Sequence, residues 1–78
     1  MDQTKIFPDE IHVYLRTDGY WCARGFQGDY GISKKRSEVI NIGKDACIIN
    51  KFKRMVIHRE DDSVSLVIRN FKKPNIRI

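Results

Sequence analysis

The sequence predicts an α+β domain in the order β-β-(β)-α-β-β. Two antiparallel β-hairpins, with room for a short extra strand, carry one helix on one face of the sheet. Three observations predict it. Asp18-Gly19 lies between two β-rich runs, a second pair of β-rich runs flanks Glu60-Asp61-Asp62-Ser63, and the stretch between them changes to helical spacing.

The first hairpin runs Ile11-His12-Val13-Tyr14-Leu15-Arg16, a turn at Thr17-Asp18-Gly19, then Tyr20-Trp21-Cys22-Ala23-Arg24. Asp-Gly suits a two-residue type I′ turn, which needs positive φ at both central positions. Centring the turn there pairs Leu15 with Cys22 and Val13 with Arg24. The expected core face then collects Ile11, Val13, Leu15, Tyr20, Cys22 and Phe26. The opposite face collects His12, Tyr14, Arg16, Trp21 and Ala23.

Gly25 to Gly31 is turn-rich, and a short third strand is expected around Asp29–Ile32. From about Lys35 to Asn50 the pattern is helical, with Ser33 or Ser37 as candidate N-cap. Val39, Gly43 and Cys47 make a stripe of small residues that lets a helix lie close on a sheet. Gly43 costs about 1 kcal/mol of helix propensity relative to Ala, so its small size has a packing reason.

The second hairpin joins Arg54–Arg59 to Val64–Arg69. Pairing across Asp61-Asp62 aligns Ile57 with Leu66 and Met55 with Ile68, and these residues and Val64 are expected to face the core. Arg54, Val56, His58, Ser65, Val67 and Arg69 take the other face, and the helix is expected to leave that face open.

At 78 residues the chain is one domain, with an ordered core expected over about residues 10–71 and a mobile tail over 72–78. Hydrophobic residues make up 41% and charged residues 32%, a folded rather than a disordered balance. No apolar run approaches the roughly 20 residues that span a bilayer, so no membrane association is expected. Met1-Asp2-Gln3-Thr4-Lys5 has acid where a signal peptide has base, and we expect a cytoplasmic chain. Two cysteines, Cys22 and Cys47, are too few for a disulfide scaffold and read as reduced core thiols.

The order of motifs resembles a known family. Ile11-His12-Val13, Asp18-Gly19-Tyr20-Trp21, a helix opening at Glu38-Val39 with Gly43 and Cys47, and Met55-Val56-Ile57-His58 before Asp61-Asp62-Ser63-Val64 are similar to family 2188 of the domains of unknown function. The resemblance covers about Ile11 to Phe71. The family's proline after the first strand is absent, Lys35 stands where its helix-capping Thr would be, and Asp62 or Ser63 replaces its turn glycine. The resemblance implies a two-hairpin-plus-helix fold and no activity.

Function is expected to lie in binding. The net charge is +5, from 15 basic and 10 acidic residues. On the open face His12, Tyr14, Arg16, Trp21, Arg54, His58 and Arg69 mix rings with cations. Such a face suits a homodimer or other protein partner. The alternative is single-stranded nucleic acid, with bases stacked on rings and arginines on phosphates. It is also what an ordinary outer face with cross-strand pairs looks like. Lys34, Lys35 and Arg36 at the helix N-terminus would reinforce an anion site, and Lys72, Lys73 and Arg77 could add phosphate contacts. Cys22, Cys47, His12 and His58 lack zinc-site spacing, so no metal is expected. No catalytic constellation or phosphate-cradling loop is present, and neither an enzyme nor a small-molecule cofactor is expected.

Overall fold

A computed structural model describes residues 5–69 and 71. The strands are β1 (Glu10–Leu15), β2 (Trp21–Gly25), β3 (Gly28–Ser33), β4 (Arg54–His58) and β5 (Val64–Ile68), with helix α1 (Arg36–Asn50) between β3 and β4. The expectations for Lys72, Lys73, Arg77 and the tail concern residues outside those described.

The expected element order holds, but the sheet is mixed rather than antiparallel. Its strand order is β3-β2-β1-β4-β5, and β1 pairs β4 in parallel. The cause is the third strand. Because β3 is a full strand antiparallel to β2, it runs the same way as β1. The helix then carries the chain back over the sheet, and β4 enters parallel to both.

The register of the first hairpin also differs from expectation. Leu15 pairs with Trp21 and Val13 with Ala23. The Arg16 N–H donates to Tyr20 O at 2.7 Å, the Gly19 N–H donates to Arg16 O at 3.1 Å, and Gly19 has φ 87°. This is a three-residue loop ending in a left-handed residue, not a two-residue type I′ turn. One extra loop residue turns β2 over. Trp21 and Ala23 therefore lie on the helix side with Ile11, Val13, Met55 and Ile57. Cys22 pairs with Tyr14 on the opposite face, and Tyr20 and Phe26 are exposed instead of joining the core.

The second hairpin has the same kind of turn, with the Arg59 N–H on Ser63 O at 2.7 Å and Asp62 at φ 74°. Here the expected register holds, Ile57 with Leu66 and Met55 with Ile68. A bulge between Ile57 and His58 pairs His58 with Val64, and the additional residue in β5 offsets the longer loop; Val64 thereby leaves the expected core face and is half-exposed beside His58.

Helix α1 starts after Lys35, which makes no side-chain cap. Ser33 substitutes locally: its Oγ accepts the Lys35 N–H at 3.1 Å and donates to Glu38 Oε1 at 3.0 Å. The helix stops at a left-handed Lys51, where the Phe52 N–H reaches back to Cys47 O at 2.9 Å. Val39, Gly43, Ala46 and Cys47 are its buried face, as the small-residue stripe predicts. The helix touches β3, β2, β1 and β4 but not β5.

Candidate functional site

The face away from the helix is organised around a buried polar chain. Residues two apart on a strand share a face, so Glu10 and His12 point the same way. β4 brings Arg54 directly opposite Glu10 and Val56 opposite His12. His58 follows two residues after Val56, diagonal to His12.

The contacts are short and consecutive. Arg54 Nε donates to Glu10 Oε2 at 2.6 Å, and the Phe7 N–H donates to Glu10 Oε1 at 3.2 Å. Glu10 Oε1 lies 2.9 Å from His12 Nε2. His12 Nδ1 lies 2.8 Å from His58 Nε2, and His58 Nδ1 lies 2.9 Å from the carbonyl oxygen of Asp62. The ring centres are 5.1 Å apart, far more than the nitrogens, so the imidazoles meet edge to edge rather than face to face. Glu10, His12 and His58 are 5%, 6% and 5% exposed.

Burial pushes the Glu10 carboxyl up, but hydrogen bonds from His12, Arg54 and the Phe7 N–H outweigh it and hold it below its ordinary value. All four ring nitrogens of the two histidines have protein partners.

The remaining expected site residues are dispersed. Tyr14 is half-buried beside Cys22, and burial raises its hydroxyl. Arg16 pairs with Asp18 at 2.9 Å in the first turn. Trp21 lies on the helix side of the sheet, with the Arg36 guanidinium 5.3 Å from its ring centre. Arg36 also donates to His58 O at 3.4 Å, and its buried Nε has no hydrogen-bond partner among the described residues. Lys34 lies over the Tyr20 ring at 5.4 Å and Lys35 is 3.9 Å from Glu38. Arg69 is exposed just beyond β5. The structure thus brings Arg54 and His58 together and separates Trp21 from both. Glu10 is the residue that sequence reasoning missed; its signal was Glu-x-His on a strand opposite a strand bearing Arg and His.

A second feature lies at the sheet edge. Leu66 pairs with Ile57 and so faces the helix side, yet the helix does not extend over β5 and Leu66 is 53% exposed. Val64 on the same strand is 50% exposed. Next to this edge Trp21, Arg36, Arg59, Glu60 and Ser65 line an open cleft of about 250 Å³. The other edge, β3, is interrupted by Gly28, Gly31 and a bulge opposite Ala23 and Arg24.

No family model, curated protein or solved structure matches the chain. Among the described residues no helix is long and apolar enough to cross a membrane, and no group of His, Cys, Asp and Glu could hold a metal ion.

Proposed function

We propose that this chain is a non-catalytic, cytoplasmic interaction module that self-associates by strand addition at the β5 edge. The observation that carries the reading is the apolar edge itself: Val64 and Leu66 are half-exposed on a strand that has no neighbour on its outer side among the described residues. Proteins usually blunt such edges, and an unblunted one is a template for another strand.

The occupant is a second copy. A two-fold axis at Leu66 sets each Leu66 against its mate, the self-complementary geometry of an isologous dimer. Antiparallel pairing about that axis also brings each Arg69 opposite the partner's Ser63, beside the acidic turn Glu60-Asp61-Asp62. Opposite charges meet at both ends.

Two observations favour this edge over the sheet face as the docking surface. The face away from the helix has lost Trp21, and its histidines are buried. They equally weaken the nucleic-acid reading, since Arg16, Arg24 and Arg54 each have an acidic neighbour. The engaged histidine nitrogens and buried thiols support a non-catalytic role.

Sedimentation equilibrium of the full chain tests the reading. A dimer is expected, Leu66→Lys should weaken it at least tenfold, and Ile49→Lys on the exposed helix face should leave it intact. A chain that stays monomeric at every accessible concentration would overturn it. So would a dimer indifferent to Leu66→Lys. Salt-sensitive binding of single-stranded oligonucleotides by a monomer would replace it with the nucleic-acid alternative.

A further inference from the structure

We propose that Glu10, His12 and His58 form a single-proton lock between β1 and β4, closed only while the two imidazoles together carry one positive charge. The inference does not depend on the docking edge.

It follows from counting hydrogens along the chain of contacts. Glu10 Oε2 takes Arg54 Nε and Oε1 takes the Phe7 N–H, so the carboxylate is an acceptor at both oxygens. The Asp62 carbonyl at the other end can only accept. Between these two acceptors lie three contacts: Glu10 to His12, His12 to His58, and His58 to Asp62. Each needs one hydrogen. Two neutral imidazoles supply two, so the third makes one of the rings an imidazolium.

Either change in proton number breaks the chain. Remove one proton and two lone pairs face each other at one of the contacts. Add one and an N–H faces an N–H across the 2.8 Å between His12 and His58. With both rings almost wholly buried, water is poorly placed to repair either fault.

The surrounding charges favour the intermediate state. From β1, Glu10 faces His12, and Tyr14 follows two residues later on the same face. β2 sets Arg24 opposite His12 and Cys22 opposite Tyr14. β4 contributes Arg54, and β5 sets only Val64 against His58. The Asp62 carboxylate lies 3.8 Å from His58 Nδ1, and from the helix Arg36 reaches the His58 carbonyl. A single positive charge therefore sits between carboxylates at its two ends, while Arg24 and Arg54 oppose a second.

The mechanical consequence falls on the seam between β1 and β4. His12 Nδ1 on His58 Nε2 joins the two strands through their side chains, while His58 Nδ1 keeps its hydrogen for the Asp62 carbonyl in the adjoining turn. Acid or alkali breaks the His12–His58 contact, and the seam between β1 and β4 loosens.

Nitrogen-15 NMR of the uniformly labelled full chain tests the count. Near neutral pH it should show three protonated ring nitrogens and a scalar coupling across the His12–His58 hydrogen bond. The coupling should vanish at both acid and alkaline pH. Two neutral rings near pH 7, or rings that titrate together with no coupling, would overturn the proposal. A second measurement uses stability against pH, where His12→Gln should lose the acid-side decline assigned to the second proton. A His12→Gln profile superimposable on the wild type would also count against it. If that variant does not fold, the spectra of the wild-type chain still decide.

Discussion

Gly43 of α1 lies against Met55 of β4 so closely that an added Cβ would fall 2.7 Å from the Met55 sulfur, and 3.5 Å from a Val13 methyl. Gly31 of β3 is equally close to Ile42, with Cγ2 at 2.7 Å and Cδ1 at 2.8 Å. These two contacts set the distance between helix and sheet, and they should respond differently to substitution.

Gly43→Ala gains about 1 kcal/mol of helix propensity, and a flexible thioether can move aside. Its net effect should stay within about 1 kcal/mol of neutral. Ile42 is branched at Cβ and stiff within the helix, so Gly31→Ala should cost about 1–3 kcal/mol through overpacking. Urea denaturation of both variants checks the order; equal midpoints would show that the helix can lift off β3 without cost.

The two hairpin turns offer a matched pair. Each ends in a left-handed residue, Gly19 in one and Asp62 in the other. The left-handed region costs a side-chain-bearing residue about 1–2 kcal/mol, and glycine nothing. Gly19→Ala should therefore destabilise by roughly that amount. Asp62→Gly should stabilise by at most about 0.5 kcal/mol, the gain being reduced by the greater freedom of the unfolded glycine and by loss of the carboxylate beside His58. Thermal melts of the two variants should move in opposite directions.

These turns also explain how far the fold could be read from the residues. Both hairpins, the helix and its Val39-Gly43-Cys47 face follow from local pattern, and β5 has the predicted partners. The orientation of β2 does not, because Asp18-Gly19 fits a two-residue turn and a three-residue loop equally well. Only the packing of Trp21 and Ala23 under the helix decides between them. Acidic residues fill the second turn, and the bulge in β5 compensates an error that the first hairpin has no means to absorb. Arg54 and His58 were legible as site residues from strand alternation. Glu10 was not, since its partner Arg54 is 44 residues away and is set opposite it by a parallel pairing that only the crossover helix creates.

Cysteine chemistry follows from burial on both faces. Cys22 is pushed up to about 11 by burial and then by Asp29, and Cys47 to about 11 by burial alone. Neither thiol is accessible, and neither forms a disulfide. Alkylation by iodoacetamide at pH 8 should proceed only as fast as the protein opens, and addition of denaturant should accelerate both sites together. Rapid labelling of Cys22 in the native protein would mean that the face bearing Tyr14 is loosely covered.

A further part of the acid sensitivity, separate from the second proton on the imidazole pair, should trace to Glu10. Its carboxyl is held below the ordinary value in the folded chain, so it binds its proton less readily folded than unfolded. The stability it contributes is therefore present above the unfolded carboxylate pKa and is lost as pH falls through the folded value. Glu10→Gln removes this dependence and leaves His12 and the partly exposed Arg54 without their anion. Loss of such a buried partner should cost about 2–4 kcal/mol near neutral pH. The gap between wild type and variant should then narrow as the solution is acidified, because protonation deprives the wild type of the same charge. Urea midpoints measured from pH 7 down to pH 3 give the comparison, and a constant gap across that range would place the acid response on another carboxylate.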